Sequence, residues 1–199
     1  MNAMEQRRGV VHRVTRETDI QLTLLVDGTG TAKIDTAVPF LDHMLTLFAV
    51  HGFFDLEIKA TGDVEVDDHH TVEDVGICLG QAFAKALGDK SGINRYGLSY
   101  LPMDETLTRV VVDISNRPFL HYGVAVPDQK LGTFDTALAL EFMRAFSQHA
   151  GVSMHIDLLH GENSHHIIEA IFKGLARAMA QATGANHLVT GTLSSKGVL

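Results

Sequence analysis

The sequence predicts an α+β fold made of two similar halves. Each half is a mainly antiparallel four-stranded sheet with two helices on one face, and the helices pack between the two sheets. Three observations predict it. A His-His-x-x-Glu run occurs twice, as Asp68-His69-His70-Thr71-Val72-Glu73-Asp74 and as Ser164-His165-His166-Ile167-Ile168-Glu169-Ala170. Each run opens a segment that reads as a good helix. Upstream of each lies the same order of antiparallel strands, a crossover helix and a further strand, which is α+β rather than doubly wound.

In chain order, Val10 to Val14 and Ile20 to Val26 carry the alternating, β-rich patterns of strands. Asp27-Gly28-Thr29-Gly30 is a turn signal, expected to form a hairpin with the next strand, Ala32 to Thr36. Pro39 opens a helix through His51, with His43 in its first turn and Gly52 at its end. Phe54 to Ala60 is a strand, and the first His-His helix then runs to about Leu87. Gly88 and Ser91-Gly92 mark a boundary, so the halves are residues 1–92 and 93–199, together one compact domain. In the second half, Thr106 to Ser115 and Phe119 to Val126 are strands separated by Asn116-Arg117-Pro118. Asp135 to His149 is a helix closed by Gly151, Val152 to Leu159 is a strand, and Asn163 to Ala182 is the second His-His helix.

On each His-His helix the glutamate shares a face with the histidines, because residues three and four apart are neighbours. Adjacent histidines diverge by about 100° around the axis, so one ion cannot comfortably collect both. One imidazole can serve one metal and its neighbour a second. Four imidazoles and two carboxylates suit a borderline divalent ion, with manganese, iron and zinc as candidates. The ordinary alternative, a solvated pair of histidines at a helix start, does not account for the pattern occurring twice.

Aligning the halves extends the set. His51-Gly52 matches His149-Ala150, and Leu56-Glu57-Ile58 matches Met154-His155-Ile156. His43 then falls opposite Glu141, each eight residues before its helix-ending histidine. Both are metal-capable, so the repeat proposes eight ligands: His43, His69, His70, Glu73, Glu141, His165, His166 and Glu169.

The totals are those of a soluble globular chain, with 199 residues, 45% hydrophobic and 20% charged. A net charge of −8 argues against a general nucleic-acid or membrane-surface binder, which would present a basic face. Twelve histidines exceed structural need. The single cysteine, Cys78, lies in an apolar helical pattern and reads as a small buried hydrophobe; without a disulfide partner it fits a reducing compartment. Met1 to Arg8 is polar and lacks a signal-peptide core, and no run approaches a membrane span, so the cytoplasm is the expected location.

Two arginines sit where loops meet strands: Arg95 in Gly92-Ile93-Asn94-Arg95-Tyr96-Gly97, and Arg117 in Asn116-Arg117-Pro118. The C-terminus adds Ser194-Ser195-Lys196-Gly197. Arginine forks and a serine–lysine tail are good partners for a phosphate dianion. In a chain of negative net charge, their flanking glycines point to closely approached functional loops.

These residues carry a resemblance to a known family. Arg16-Glu17-Thr18, Phe40-Leu41-Asp42-His43-Met44, His51-Gly52 with Phe54-Asp55-Leu56, both His-His segments, Gly92 to Gly97, Gly161-Glu162-Asn163, Phe172-Lys173 and Ser194 to Leu199 together resemble imidazoleglycerol-phosphate dehydratase in its monofunctional form. The resemblance runs from about Arg7 to the C-terminus. It implies a manganese-dependent hydro-lyase of histidine biosynthesis, removing water from imidazole glycerol phosphate to give imidazole acetol phosphate. It also implies two Mn²⁺ per subunit, held by the eight ligands in sites shared between neighbours, and a homo-oligomer of 24 subunits in an octahedral shell. Glu17 is then the general acid/base and His43 belongs to the catalytic as well as the metal set. Arg95, Arg117, Lys173, Ser194 and Lys196 hold the phosphate. Three positions depart from the family pattern: Glu141, where many members carry histidine; Asn116, where glycine commonly precedes Arg-Pro; and Leu47, where some carry glutamine.

The implied chemistry explains the need for two cations. The hydrogen to be lost is not beside a carbonyl, so the imidazole ring must act as the electron reservoir, and two Lewis acids on its nitrogens would stabilise the imidazolate. The ring can then help to expel the adjacent hydroxyl through a diazafulvene-like intermediate. Two competing readings are a metal-storage protein, which would use long bundle helices, and a dimetal phosphohydrolase, which would release phosphate.

Overall fold

A computed structural model describes residues 6–199. The polar stretch read at residues 1–8 lies partly outside the described residues. Two four-stranded sheets enclose a layer of four helices. The first sheet comprises β1 (Arg8–Val14), β2 (Thr18–Leu25), β3 (Ala32–Asp35) and β4 (Asp55–Gly62), in the order β1-β2-β4-β3. The second comprises β5 (Tyr96–Met103), β6 (Thr106–Asp113), β7 (Phe119–Gly123) and β10 (Ser153–His160), in the order β5-β6-β10-β7. The two orders are the same permutation, so the halves share one topology. The second half has an extra short hairpin, β8 (Lys130–Leu131) with β9 (Phe134–Asp135).

The pairing corrects one expectation. Residues 27–30 do not make a hairpin; β4 lies between β2 and β3, antiparallel to the first and parallel to the second. The turn is instead bound to the start of β4, because the Asp55 carboxylate accepts hydrogen bonds from the backbone N–H of Thr29 (2.7 Å) and Thr31 (2.9 Å). A side chain from the strand that separates β2 and β3 in the same sheet has overridden the local turn signal. The second half repeats the arrangement, with β10 between β6 and β7.

The helices are α1 (Pro39–Gly52), α2 (His69–Leu87), α3 (Leu138–Ala150) and α4 (Ser164–Thr183). Pro39 occupies the first turn of α1, where its missing N–H costs nothing. Gly151 closes α3 in the left-handed region, at φ 68°. The expected start of α3 at Asp135 belongs to β9, and the helix begins three residues later. In the first half α2 lies on β1 and β2, and in the second α4 lies on β5 and β6; across the middle, α2 packs on α3 and α1 on α4. One apolar core runs through all four helices, with Phe48, Phe83, Phe142, Phe146 and Phe172 at its centre. Cys78 is part of it, and burial pushes its thiol up to about 12, the state of an inert core residue.

β5 has no counterpart in the sequence expectations. Its alternation is inverted: Tyr96, Leu98 and Tyr100 face outward, half exposed, while Gly97 and Ser99 face the helices. The cause is the approach of α4. A Cβ on Gly97 would lie 1.9 Å from the Ala178 carbonyl oxygen. Gly9 of β1 meets Ala82 of α2 in the same way, at 2.0 Å. The closest helix–sheet contact is thus a repeated glycine.

Candidate metal centre and anion cleft

Helix starts deliver the histidines. The Asn163 side chain caps α4, accepting from the N–H groups of His165 (2.9 Å) and His166 (3.3 Å), and so places both imidazoles on its first turn. Asp67 accepts from the His69 N–H at 2.8 Å at the start of α2. Within each pair the rings stand nearly perpendicular, at 79° for His69/His70 and 87° for His165/His166. The divergence expected from helix geometry is present.

One cluster is assembled across the halves. His43 from α1 and His165 from α4 both direct Nε2 at the Glu169 carboxylate, at 3.3 and 3.1 Å. Their three candidate donor atoms all lie within 4.8 Å of one another. Two imidazoles and a carboxylate at that separation fit a borderline divalent cation. Glu169 is only 6% exposed. Burial alone would favour its neutral form, but Lys173, His165 and His43 hold its carboxyl below the ordinary range.

Within the single chain Lys173, expected among the phosphate ligands, lies at this cluster. Its ammonium pairs with Glu169 one turn away, with Met103 Sδ 3.7 Å off, and it does not line the anion cleft described below.

The matching residues of the other helix pair are looser. His69 Nε2 is 3.8 Å from Glu73 Oε2, and His69 and Glu141 line one cleft of about 480 Å³. Glu141 is bound by Arg144 at 2.5 and 2.7 Å. His70 and His166 face away from both clusters. His70 Nδ1 lies 3.0 and 3.2 Å from the two oxygens of Asp63; that hydrogen bond, with the nearby charges of Asp63, Glu17 and Asp67, raises its pKa. His166 Nδ1 lies 2.7 Å from Glu105 Oε2 and is raised likewise, while Glu105 is held well below the carboxylate range. Asp63 and Glu105 were not among the sequence candidates. The repeat held the signal for Glu105: it precedes buried Thr106 at the start of β6 as Glu17 precedes buried Thr18 at the start of β2. Glu17 itself is exposed, and its carbonyl accepts from the Asp63 N–H at 3.1 Å, beside His70.

The remaining expected residues converge. Arg95, Arg117, Ser194 and Lys196 line one cleft of about 390 Å³ between the β6–β7 connection and the C-terminal tail. Their roles differ in kind. Arg95 is buried, its fork spent on Asp113 (2.7 and 3.1 Å) and its remaining nitrogen donating to the Leu193 carbonyl at 2.6 Å. It fixes the tail. Arg117 is 69% exposed and 4.0 Å from Asp113, so its guanidinium is available to a ligand.

Comparison with known proteins agrees with the fold. The family model described as imidazoleglycerol-phosphate dehydratase matches residues 36–179. A curated imidazoleglycerol-phosphate dehydratase of Desulfotalea psychrophila is 61% identical over 196 residues, 98% of each chain, and one of Syntrophobacter fumaroxidans is 57% identical over 98% of each. Among solved structures, the imidazoleglycerol-phosphate dehydratase of Staphylococcus aureus superposes with a TM-score of 0.82 at 45% identity, covering 90% of this chain and 99% of its own. That of Pyrococcus furiosus, in complex with (S)-C348, gives 0.83 at 39%, covering 95% and 100%. With a family match over most of its length and relatives this similar, the chain belongs to the imidazoleglycerol-phosphate dehydratase family.

Proposed function

We propose that this chain dehydrates imidazole glycerol phosphate to imidazole acetol phosphate in histidine biosynthesis, in the cytoplasm, as a manganese-dependent homo-oligomer. The observation that carries the reading is the meeting of His43, His165 and Glu169 from two halves of the chain, in a chain whose relatives bear the dehydratase name. Two Mn²⁺ per subunit would be held by His43, His69, His70, Glu73, Glu141, His165, His166 and Glu169, supplying Lewis acidity toward the ring nitrogens of the substrate. Sharing of the sites between subunits is supported by the direction of His70 and His166; the shell of 24 rests on the family resemblance. Neither joins a three-donor cluster among the described residues of one chain, so each is free to complete a site with another copy.

The chain's own residues divide the remaining work. Arg117, Lys196 and Ser194 bind the phosphate, and Arg95 keeps the tail against Asp113, so a bound substrate is oriented by its far end. Glu17, exposed beside His70, takes the proton from the glycerol chain and returns one to the departing hydroxyl.

The test is an assay for ketone formation from imidazole glycerol phosphate, run before and after exhaustive chelation and paired with elemental analysis. Ketone formation that stops on chelation, returns with Mn²⁺ and releases no inorganic phosphate is expected. Phosphate release without ketone would replace the reading with hydrolysis. Full turnover by verified metal-free protein would remove the metal from it.

A further inference from the structure

We infer that Asp63 and Glu105 are positioning residues that set which nitrogen of His70 and His166 is offered as a ligand. The inference rests on the metal-site reading above and deepens it. Three of the candidate histidines, His43, His69 and His165, point Nε2 at the glutamate on their site's helix, at 3.3, 3.8 and 3.1 Å. His70 and His166 have no such partner. Instead each has a carboxylate behind it on the opposite ring nitrogen, Asp63 at 3.0 Å and Glu105 at 2.7 Å. A carboxylate accepts and cannot donate, so in the neutral ring it selects the tautomer with the proton on Nδ1 and leaves the Nε2 lone pair outward. All five imidazoles then present the same atom.

The two supports are unlike in sequence origin and alike in effect. Asp63 begins the loop after β4 and is tied to the β1–β2 turn by its own N–H donating to the Glu17 carbonyl. Glu105 comes from the β5–β6 turn and is fixed in place by the N–H groups of Asn163 (2.9 Å) and Glu162 (3.3 Å) and by the Thr106 hydroxyl (3.0 Å). His166 Nε2 lies 3.9 Å from Asp104, beyond hydrogen-bond reach, so among the described residues no hydrogen bond competes for that lone pair. Glu17 and Glu105 begin equivalent strands, yet only Glu105 touches a histidine ring. The duplicated glutamates have separated, one binding a ligand's back and the other left exposed.

Backing carboxylates of this kind change metal affinity by 10- to 100-fold when lost. Glu105→Gln keeps an oxygen for the backbone donors and removes the charge; Asp63→Asn does the same for His70. Mn²⁺ titrations followed by the electron paramagnetic resonance signal of the free ion should show each variant binding about 10- to 100-fold more weakly. Independently, ¹⁵N NMR of the histidine-labelled metal-free protein, at a pH well above the ordinary histidine range, reads the tautomer, with His70→Gln and His166→Gln variants assigning the signals. Protonated Nδ1 on both rings is expected. An Nε2–H tautomer at either position, or unaltered Mn²⁺ affinity in both carboxylate variants, overturns the inference. Absence of Mn²⁺ binding by the parent protein would instead strike the metal reading, and the tautomer would still decide this one.

Discussion

Replacing Lys173 with methionine tests whether its cation serves the carboxylate or the substrate. The Lys173 and Glu169 side chains are 15% and 8% exposed and joined by a charge-assisted hydrogen bond. Removing one partner of a buried pair costs about 3–5 kcal/mol, because the other charge is stranded. The residual exposure of Lys173 and the imidazoles of His43 and His165 on the same carboxylate soften that loss. The expected destabilisation of metal-free Lys173→Met is therefore about 2–4 kcal/mol, below the fully buried case. Urea unfolding of the metal-free parent, Lys173→Met, Glu169→Gln and the double variant closes a double-mutant cycle. The double variant should be more stable than the sum of the single losses by about 1–3 kcal/mol, since it buries no unpaired charge. If Lys173→Met is as stable as the parent, or the single losses simply add, the pairing contributes nothing and the phosphate role expected from sequence regains the residue.

Three further outcomes follow from the geometry. Arg117→Ala or Lys196→Ala removes one charge-assisted hydrogen bond to the phosphate, about 1.5–3 kcal/mol, so steady-state kinetics should show kcat/KM falling about 10- to 100-fold, mainly through KM, with metal content unchanged. Gly97→Ala places a methyl against a carbonyl oxygen that cannot swing aside, so urea unfolding should show a loss of about 1–3 kcal/mol or slightly more, matched by Gly9→Ala. Burial, aided by the Arg13 charge, lowers the His149 pKa. The folded state thus disfavours the imidazolium. Stability from this residue is complete above the unfolded-state value of about 6.5 and is lost as pH falls through the lower folded value. His149→Gln should flatten that part of the stability–pH curve, as followed by thermal unfolding.

The parts of the fold legible in the sequence are those in which local pattern and tertiary environment agree. Pro39 opens α1, each His-His run stands at the start of its helix, and the doubled motif signals that the two halves share one topology. β5 was invisible because its apolar side chains face outward and its glycine faces in, the reverse of a half-buried strand. The false hairpin after β2 failed for a different reason: Asp55 captures the turn from 24 to 26 residues away, beyond any local window. At the site, ligand spacing was readable because a helix converts spacing into direction. Which cation meets which anion was not. Arg95, expected at the phosphate, is held by Asp113, 18 residues away. Lys173 stands at helical i,i+4 spacing from Glu169, but spacing alone does not say that it meets this carboxylate rather than a phosphate.

The Lys173–Glu169 pairing also shows how the two helix pairs keep their charge in hand despite carrying different ligands. The α1–α4 cluster has two imidazoles and one buried carboxylate, and its single excess negative charge is met by Lys173. The α2–α3 pair carries two carboxylates, Glu73 on α2 and Glu141 on α3. No lysine stands one turn below Glu73; Ile77 occupies that position. Arg144 supplies the cation from the other helix, donating through one guanidinium nitrogen to both oxygens of Glu141. The two cations are not equivalent, however. The side chain of Arg144 is 59% exposed and its pairing is worth little in water, so it can leave Glu141 at small cost when a divalent ion arrives. Lys173 is enclosed and cannot leave cheaply. If the proposed cations bind, the α1–α4 set is the one whose carboxylate would stay neutralised throughout, and the α2–α3 set the one whose arginine would be released.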